Sequence, residues 1–284
     1  MPDFFKYHAL GNDYIVIDPA VSDFPVTEKL AAALCARHTG AGGDGVLYGP
    51  FFNANGLPEV KIFNADGSEA EKSGNGIRIF AKYLRDRAIA DADSFVIATL
   101  SGETPVAIGP DDIVSADMGA PSFNSADVPA SGPAREIISE PVELDGETFR
   151  VTALSVGIPH CVVFLDEISP ELARRFGPLL ETHVMFPRKT NVQFARRIAA
   201  DKLEIQIWER GSGYTLASGS SSCAAMAAGR RLGLLEDKVS VTMPGGAVTV
   251  TAGGNGRLTL SGPVTPVFSG EFSPEFKSAL DRLC

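Results

Sequence analysis

Hydrophobic and polar positions along this chain alternate with two periods. A period of two marks strands. KLEIQIWE at 202–209 alternates cleanly, and KVSVTM, AVTVTA and RLTLSG read as three further strands. In the first half, Tyr14–Asp18, Glu59–Phe63, Val96–Leu100 and Ile113–Met118 read the same way. A helical period follows GSEAEKSGNG, where Ile77, Phe80, Ala81 and Leu84 share one face. SGSSSCAAMAAGRRLGLL is a small-residue helix opened by Gly and Ser. Thr27 is placed to cap EKLAAALCARH, Ser169-Pro170 starts a short helix, and SPEFKSALDRL is a capped terminal helix. VELDGETFRV predicts a hairpin with Asp145-Gly146 at its tip. In residues 120–134, eleven of fifteen are Ala, Pro, Ser or Gly, so this stretch reads as a loop or linker near the chain's midpoint.

The halves repeat each other. Setting Ser73 on Ser218, an offset of 145, also sets Phe63 on Trp208, Asn64 on Glu209, Gly74 on Gly219 and Arg85 on Arg230. Gly11 meets Gly157 and Val16 meets Val162 at 146, while Thr99 meets Thr242 and Gly119 meets Gly262 at 143. Such order implies a duplication with loop indels. The expected fold is α+β: two similar domains of mainly antiparallel strands, each around a helix, spanning 1–119 plus 265–284 and 120–264. The repeat yields two equivalent helix starts, Ser73-Gly74-Asn75-Gly76 and Ser218-Gly219-Ser220-Ser221. Unpaired N–H groups at such starts bind anions, so a carboxylate held between them in a cleft is expected.

Composition narrows the class. The net charge is −10, from 25 Lys and Arg against 35 Asp and Glu, with no basic run. That argues against nucleic acid and anionic membranes as partners. No apolar stretch suits a transmembrane helix, and MPDFFKYHALGNDY lacks a signal-peptide pattern, so a cytoplasmic location is expected. The four cysteines are scattered without a CxxC, consistent with reduced thiols and no metal site. No Rossmann fingerprint or P-loop is present, so no cofactor is expected.

FFKYHALGNDYIVID, RHTGAGGDGVL, FNADGSEAEKSGNGIRIFAKYL, RKTNVQF and WERGSGYTLASGSSSCAA together resemble the diaminopimelate epimerase family of cofactor-independent amino-acid epimerases and racemases. The resemblance runs from residue 4 to about 265. It implies two pseudo-twofold-related domains, a small amino-acid substrate in the cleft, no pyridoxal phosphate and a homodimer. In that family a cysteine at each helix start moves the α-proton, one removing it and the other returning one to the opposite face. Here Ser73 and Ser218 occupy both positions, and Cys223, further into the second helix, reads as buried packing. Asn12, Asn64, Asn191, Glu209 and Arg210 match substrate-binding positions of the family. So does Ile158, where the family carries Asn; its apolar side chain points away from diaminopimelate itself and toward a substrate with a less polar distal end. Gly74, Asn75, Gly219 and Ser220 offer backbone N–H groups.

Serine changes the chemistry. Helix-end electrostatics stabilise an anion by up to ~2 kcal/mol, and ~1.4 kcal/mol is one pKa unit, so they cannot ionise an aliphatic hydroxyl at neutral pH. Serine needs an adjacent base. Asp13, Asp44, Glu69, His160 and Glu209 are candidates by motif, with a structural role the alternative for His160. Three readings stay open: a racemase whose serines relay protons, a single-base isomerase or dehydratase on the same scaffold, and a binding protein without activity.

Overall fold

The computed structural model describes residues 2–283. These divide into two compact units, one running up to Ala116 and resuming from Gly262, the other Asp117–Ser261. Cys284, counted above among the thiols, lies outside the described residues.

In the first unit, β1 (Phe4–Ala9) pairs antiparallel with β2 (Asn12–Ile17), which pairs parallel with β3 (Gly45–Phe52). Next come β4 (Pro58–Asn64), antiparallel to β3 and to the short β5 (Glu69–Ala70), and β6 (Ser94–Thr99), parallel to β4. The hairpin of β6 with β7 (Gly102–Ile108) continues antiparallel into β8 (Val114–Gly119). The chain's last strand, β18 (Thr265–Gly270), closes the other side by pairing with β1.

The second unit follows the same plan. β9 (Glu140–Leu144) takes the place of β18 beside β10 (Glu147–Ser155). β11 (Pro159–Phe164) pairs antiparallel with β10 and parallel with β12 (Asn191–Ala199). β13 (Lys202–Glu209) lies antiparallel to β12 and to β14 (Gly213–Thr215), and parallel to β15 (Lys238–Met243). β16 (Gly246–Ala252) and β17 (Leu258–Gly262) finish the order. The repeated sequence is therefore a repeated pattern of strand pairing.

Helices fill corresponding places. α1 (Glu28–Cys35) and α3 (Pro170–Glu181) precede the third strand of each plan, and α2 (Gly74–Asp86) and α4 (Gly219–Arg231) follow the fifth. α5 (Pro274–Asp281) ends the chain. α2 is buried on all sides from Gly74 to Leu84, as befits a helix wrapped by strands. The core around it takes Tyr14 and Val16 from β2, while Ile15 and Ile17 point to a second core against α1. Alternation thus gives β2 two apolar faces because both are covered.

Local signals fall where the sequence puts them. Thr27, Ser169 and Ser273 accept hydrogen bonds from the third backbone N–H of their helices. Asp145 and Gly146 take φ of 50° and 80° at the hairpin tip, the left-handed pair that an Asp-Gly turn supplies. The helix after Ser169 is longer than the short one expected, running twelve residues with Pro178 inside it. The small-residue stretch at 120–134 is a loop, tied to the second unit by bridges from Ser122 to Ser155 and from Asn124 to Glu136.

Candidate functional site

Ser73 and Ser218 are both N-caps. Each leaves the preceding strand in extended geometry, φ/ψ −136/118 and −147/121, which turns the hydroxyl back toward its own helix. Ser73 Oγ accepts from Gly76 N at 3.0 Å, and Ser218 Oγ from Ser221 N at 3.4 Å. The N–H groups of Gly74-Asn75 and Gly219-Ser220 fall in the first turns, where a helix has no acceptor of its own to offer. Each start is therefore a hydroxyl beside backbone donors, suited to holding an anion.

Behind Ser73 runs a chain of polar contacts. Asn75 Nδ2 donates to Asn12 Oδ1 at 3.0 Å, and Asn12 Nδ2 donates to Asp44 Oδ2 at 3.0 Å. The buried Arg78 donates to Asn75 Oδ1 at 2.7 Å. Asp44 and Asp13 share Arg37 at 2.7 Å each, and Lys6 pairs with Asp13 at 2.7 Å. Burial raises the Asp13 pKa, but its bonds to Arg37 and Lys6 outweigh that and hold the carboxyl below the usual carboxylate range. Asp13 and Asp44, both candidate bases by motif, are thus occupied in fixing the loop before β3. The nearby Cys35 thiol is pushed up to about 12, by burial first and then by Asp44 and Asp13, so it stays protonated and inert.

Around Ser218 the partners are different. Its Oγ lies 3.4 Å from Ser220 Oγ, its N–H donates to Met243 Sδ at 3.4 Å, and its carbonyl accepts from Ser222 Oγ at 2.9 Å. None of these groups titrates near neutral pH. Ser221 Oγ accepts from Gln193 Nε2 at 3.0 Å. Cys223 is fully buried, in keeping with a packing role.

His160 is fully buried, and neither ring nitrogen makes a hydrogen bond of good geometry. Burial drives its pKa down to about 3; Gln193 favours the charged ring, but too weakly to offset that. The ring is neutral at physiological pH. The unfolded chain binds this proton below about pH 6.5 and the folded chain only near pH 3, so stability falls with falling pH between those values. His160→Gln is expected to flatten that limb: between pH 7.5 and 5 the native chain should lose about 2 kcal/mol more than the variant in urea unfolding. Equal losses would trace the limb to other groups.

The remaining motif residues lie as follows. Asn64 ends β4 exposed, its amide donating to Ser68 Oγ at 2.9 Å, and Glu69 is exposed on β5. Ile158 is half-buried in the turn between β10 and β11. Asn191 is buried, with Oδ1 accepting from Arg210 N at 3.0 Å and Nδ2 donating to Pro159 O at 2.9 Å, so its amide fixes backbone. Glu209 ends β13 half-buried, and the adjacent Arg210 is exposed.

Two contributors escape the motif reading. Glu181, buried at the end of α3, accepts from Trp208 Nε1 at 2.7 Å and Gly211 N at 3.2 Å, and so braces the Glu209-Arg210 turn. Tyr14 places its phenol oxygen 3.0 Å from Ser73 Oγ. A tyrosine within an alternating strand reads as core, and no local signal pairs it with a serine across 59 residues.

Comparison with known proteins adds the family. The family profile described as Diaminopimelate epimerase matches residues 4–124 and 152–267. The chain is 46% identical over 273 residues to Diaminopimelate epimerase 2 of Nostoc sp. PCC 7120, covering 96% of each chain. It is 40% identical to Diaminopimelate epimerase of Pelotomaculum thermopropionicum, covering 95% of this chain and 98% of that one. A probable proline racemase from Agrobacterium radiobacter K84 shares the fold at a TM-score of 0.71 and 13% identity, covering 96% of this chain and 93% of that one. Among the described residues no helix is long and apolar enough to cross a membrane. With both repeated helix starts lying inside the matched segments, the chain belongs to the diaminopimelate epimerase family of isomerases.

Proposed function

We propose that the protein is a cofactor-independent amino-acid epimerase or racemase in which Ser73 and Ser218 move the α-proton, one on each face of the substrate. The observation that carries this reading is the equivalence of the two serines: each caps a helix at the same place in a repeated plan, with backbone donors beside it. A carboxylate gathered by those donors makes the α-proton more acidic by taking up charge as the carbanion forms. Glu209 is suited to an ammonium group and Arg210 to a carboxylate. Ile158 favours a distal end less polar than that of diaminopimelate, because a polar group buried without a partner costs ~1–3 kcal/mol.

A single-base isomerase has less support. Asp13 and Asp44 are held in ion pairs, and His160 is buried and neutral. The test is proton exchange. Amino acids of varied distal chemistry, meso-diaminopimelate included, are incubated with the protein in deuterated water and followed by loss of the α-proton signal. Exchange is expected on at least one of them, more readily on those whose distal end is less polar than that of diaminopimelate. Absence of exchange on every one would overturn the reading.

A further inference from the structure

We propose that Tyr14 is the proton partner of Ser73, so that this serine works as the outer member of a two-hydroxyl relay; the inference rests on the racemase reading above. The phenol oxygen lies 3.0 Å from Ser73 Oγ, and Tyr14 is buried in the core that surrounds α2. Its ring is seated by a gap in the neighbouring strand. Tyr14 pairs with Gly45 across the β2–β3 ladder, and a Cβ on Gly45 would stand 2.5 Å from Tyr14 Cε1. Any side chain at 45 would drive the ring off its place. A serine hydroxyl has two acceptor lone pairs and one proton. Gly76 N–H takes one lone pair. If the phenol proton takes the other, the serine's own proton is left to point out of the protein toward a bound ligand.

The proton count closes. In the return step the Ser73 O–H bond breaks as a C–H bond forms at the carbanionic α-carbon, and the Tyr14 proton passes to Ser73 Oγ. The electron pair comes to rest on the phenolate, and water restores its proton. In the opposite direction the phenolate accepts the serine proton as Ser73 takes the proton from the α-carbon. Charge therefore settles on a phenol, an intrinsically stronger acid than an aliphatic alcohol, instead of an alkoxide. The second repeat lacks this device. The position equivalent to Tyr14 is His160, at the same offset of 146 that relates Val16 to Val162, and its ring nitrogens make no hydrogen bond to Ser218. Tyr14 acts through Ser73 and does not itself contact the substrate.

Tyr14→Phe keeps the ring and removes only the oxygen. It is expected to lower α-proton exchange by about 10²-fold or more while leaving amino-acid affinity, read by calorimetry, unchanged. The native pH–rate profile should carry a limb that the variant lacks. In a Ser73→Cys background Tyr14→Phe should cost little, because a thiol at a helix start needs no second hydroxyl. Fluorotyrosine at position 14, a more acidic phenol of nearly the same shape, should move the limb to lower pH, and this arm decides the matter if Tyr14→Phe fails to fold. Unchanged exchange in Tyr14→Phe, an equal loss in both backgrounds, or a limb that fluorotyrosine leaves in place would overturn the relay alone. Absence of exchange by the native chain on every amino acid tried would overturn the racemase reading, and the relay with it.

Discussion

Replacing Ser73 and Ser218 together by cysteine is expected to raise α-proton exchange by about 10²–10⁴-fold, the usual worth of a well-matched general acid or base. A free thiol has pKa ≈ 8.5, and helix N-termini lower it toward neutrality, so a thiolate can form at either position at pH 7. An aliphatic hydroxyl gains the same help from the helix end and still falls far short. Both positions already have the extended cap geometry that aims the side chain, so the exchange of oxygen for sulfur changes acidity more than placement. The variant also reports on itself. Among the described residues the native thiols Cys35, Cys161 and Cys223 are buried, so with Cys284 also replaced by Ser a thiol reagent should label the new half-buried cysteine at 73 first. The pH profile should gain a limb near the thiol pKa. A double variant that folds, binds amino acid and exchanges no α-proton would end the racemase reading.

Arg78→Met is expected to destabilise the protein by about 2–5 kcal/mol, a large share of the 5–15 kcal/mol typical of a whole domain. Arg78 is fully buried in α2, donating to Asn75 Oδ1 at 2.7 Å and Pro263 O at 3.4 Å. Methionine fills much of the space but offers no donor. The buried Asn75 Oδ1 then loses a partner, at ~1–3 kcal/mol, and the part-buried Pro263 carbonyl loses a weaker one. The loss also reaches the site, since the Asn75 amide is what holds the Asn12 carbonyl. Urea unfolding should show the midpoint falling with the slope unchanged. A shift below ~1 kcal/mol would mean that water or a rotated Asn75 replaces the guanidinium.

Local chemistry made much of this legible in the sequence. Caps at Thr27, Ser73, Ser169, Ser218 and Ser273 are bonds between residues three apart, and the Asp145-Gly146 turn needs only its own two residues. What stayed hidden depends on distant partners. β3 carries Gly45, Gly49 and Pro50, which leave it without a strand pattern of its own; it is a strand because β2 and β4 flank it, with its register shifting between Tyr48 and Phe51, where the proline falls. β1 and β12 likewise take their identity from neighbours. At the site, the motifs located Ser73 and Asn12 but not their coupling, since the Asn12–Asp44 and Asn75–Asn12 bonds span 32 and 63 residues. Acidic side chains near the motifs looked like bases until their cations, Arg37 and Lys6, were placed beside them.

The first unit takes its closing strand from the far end of the chain, where β18 pairs with β1 through contacts such as Phe5 with Ser269. The second unit is continuous. On the ribosome this sets an order of completion. All of the second unit's strands are made before β18 is, so the early half of the chain waits longer for its last neighbour than the later half does. During that wait one edge of β1 has unsatisfied backbone groups, the kind of edge that recruits wrong partners. A nascent chain stalled before residue 262 carries one unit with its whole sequence and one still open, and it is on the open one that a chaperone has work to do.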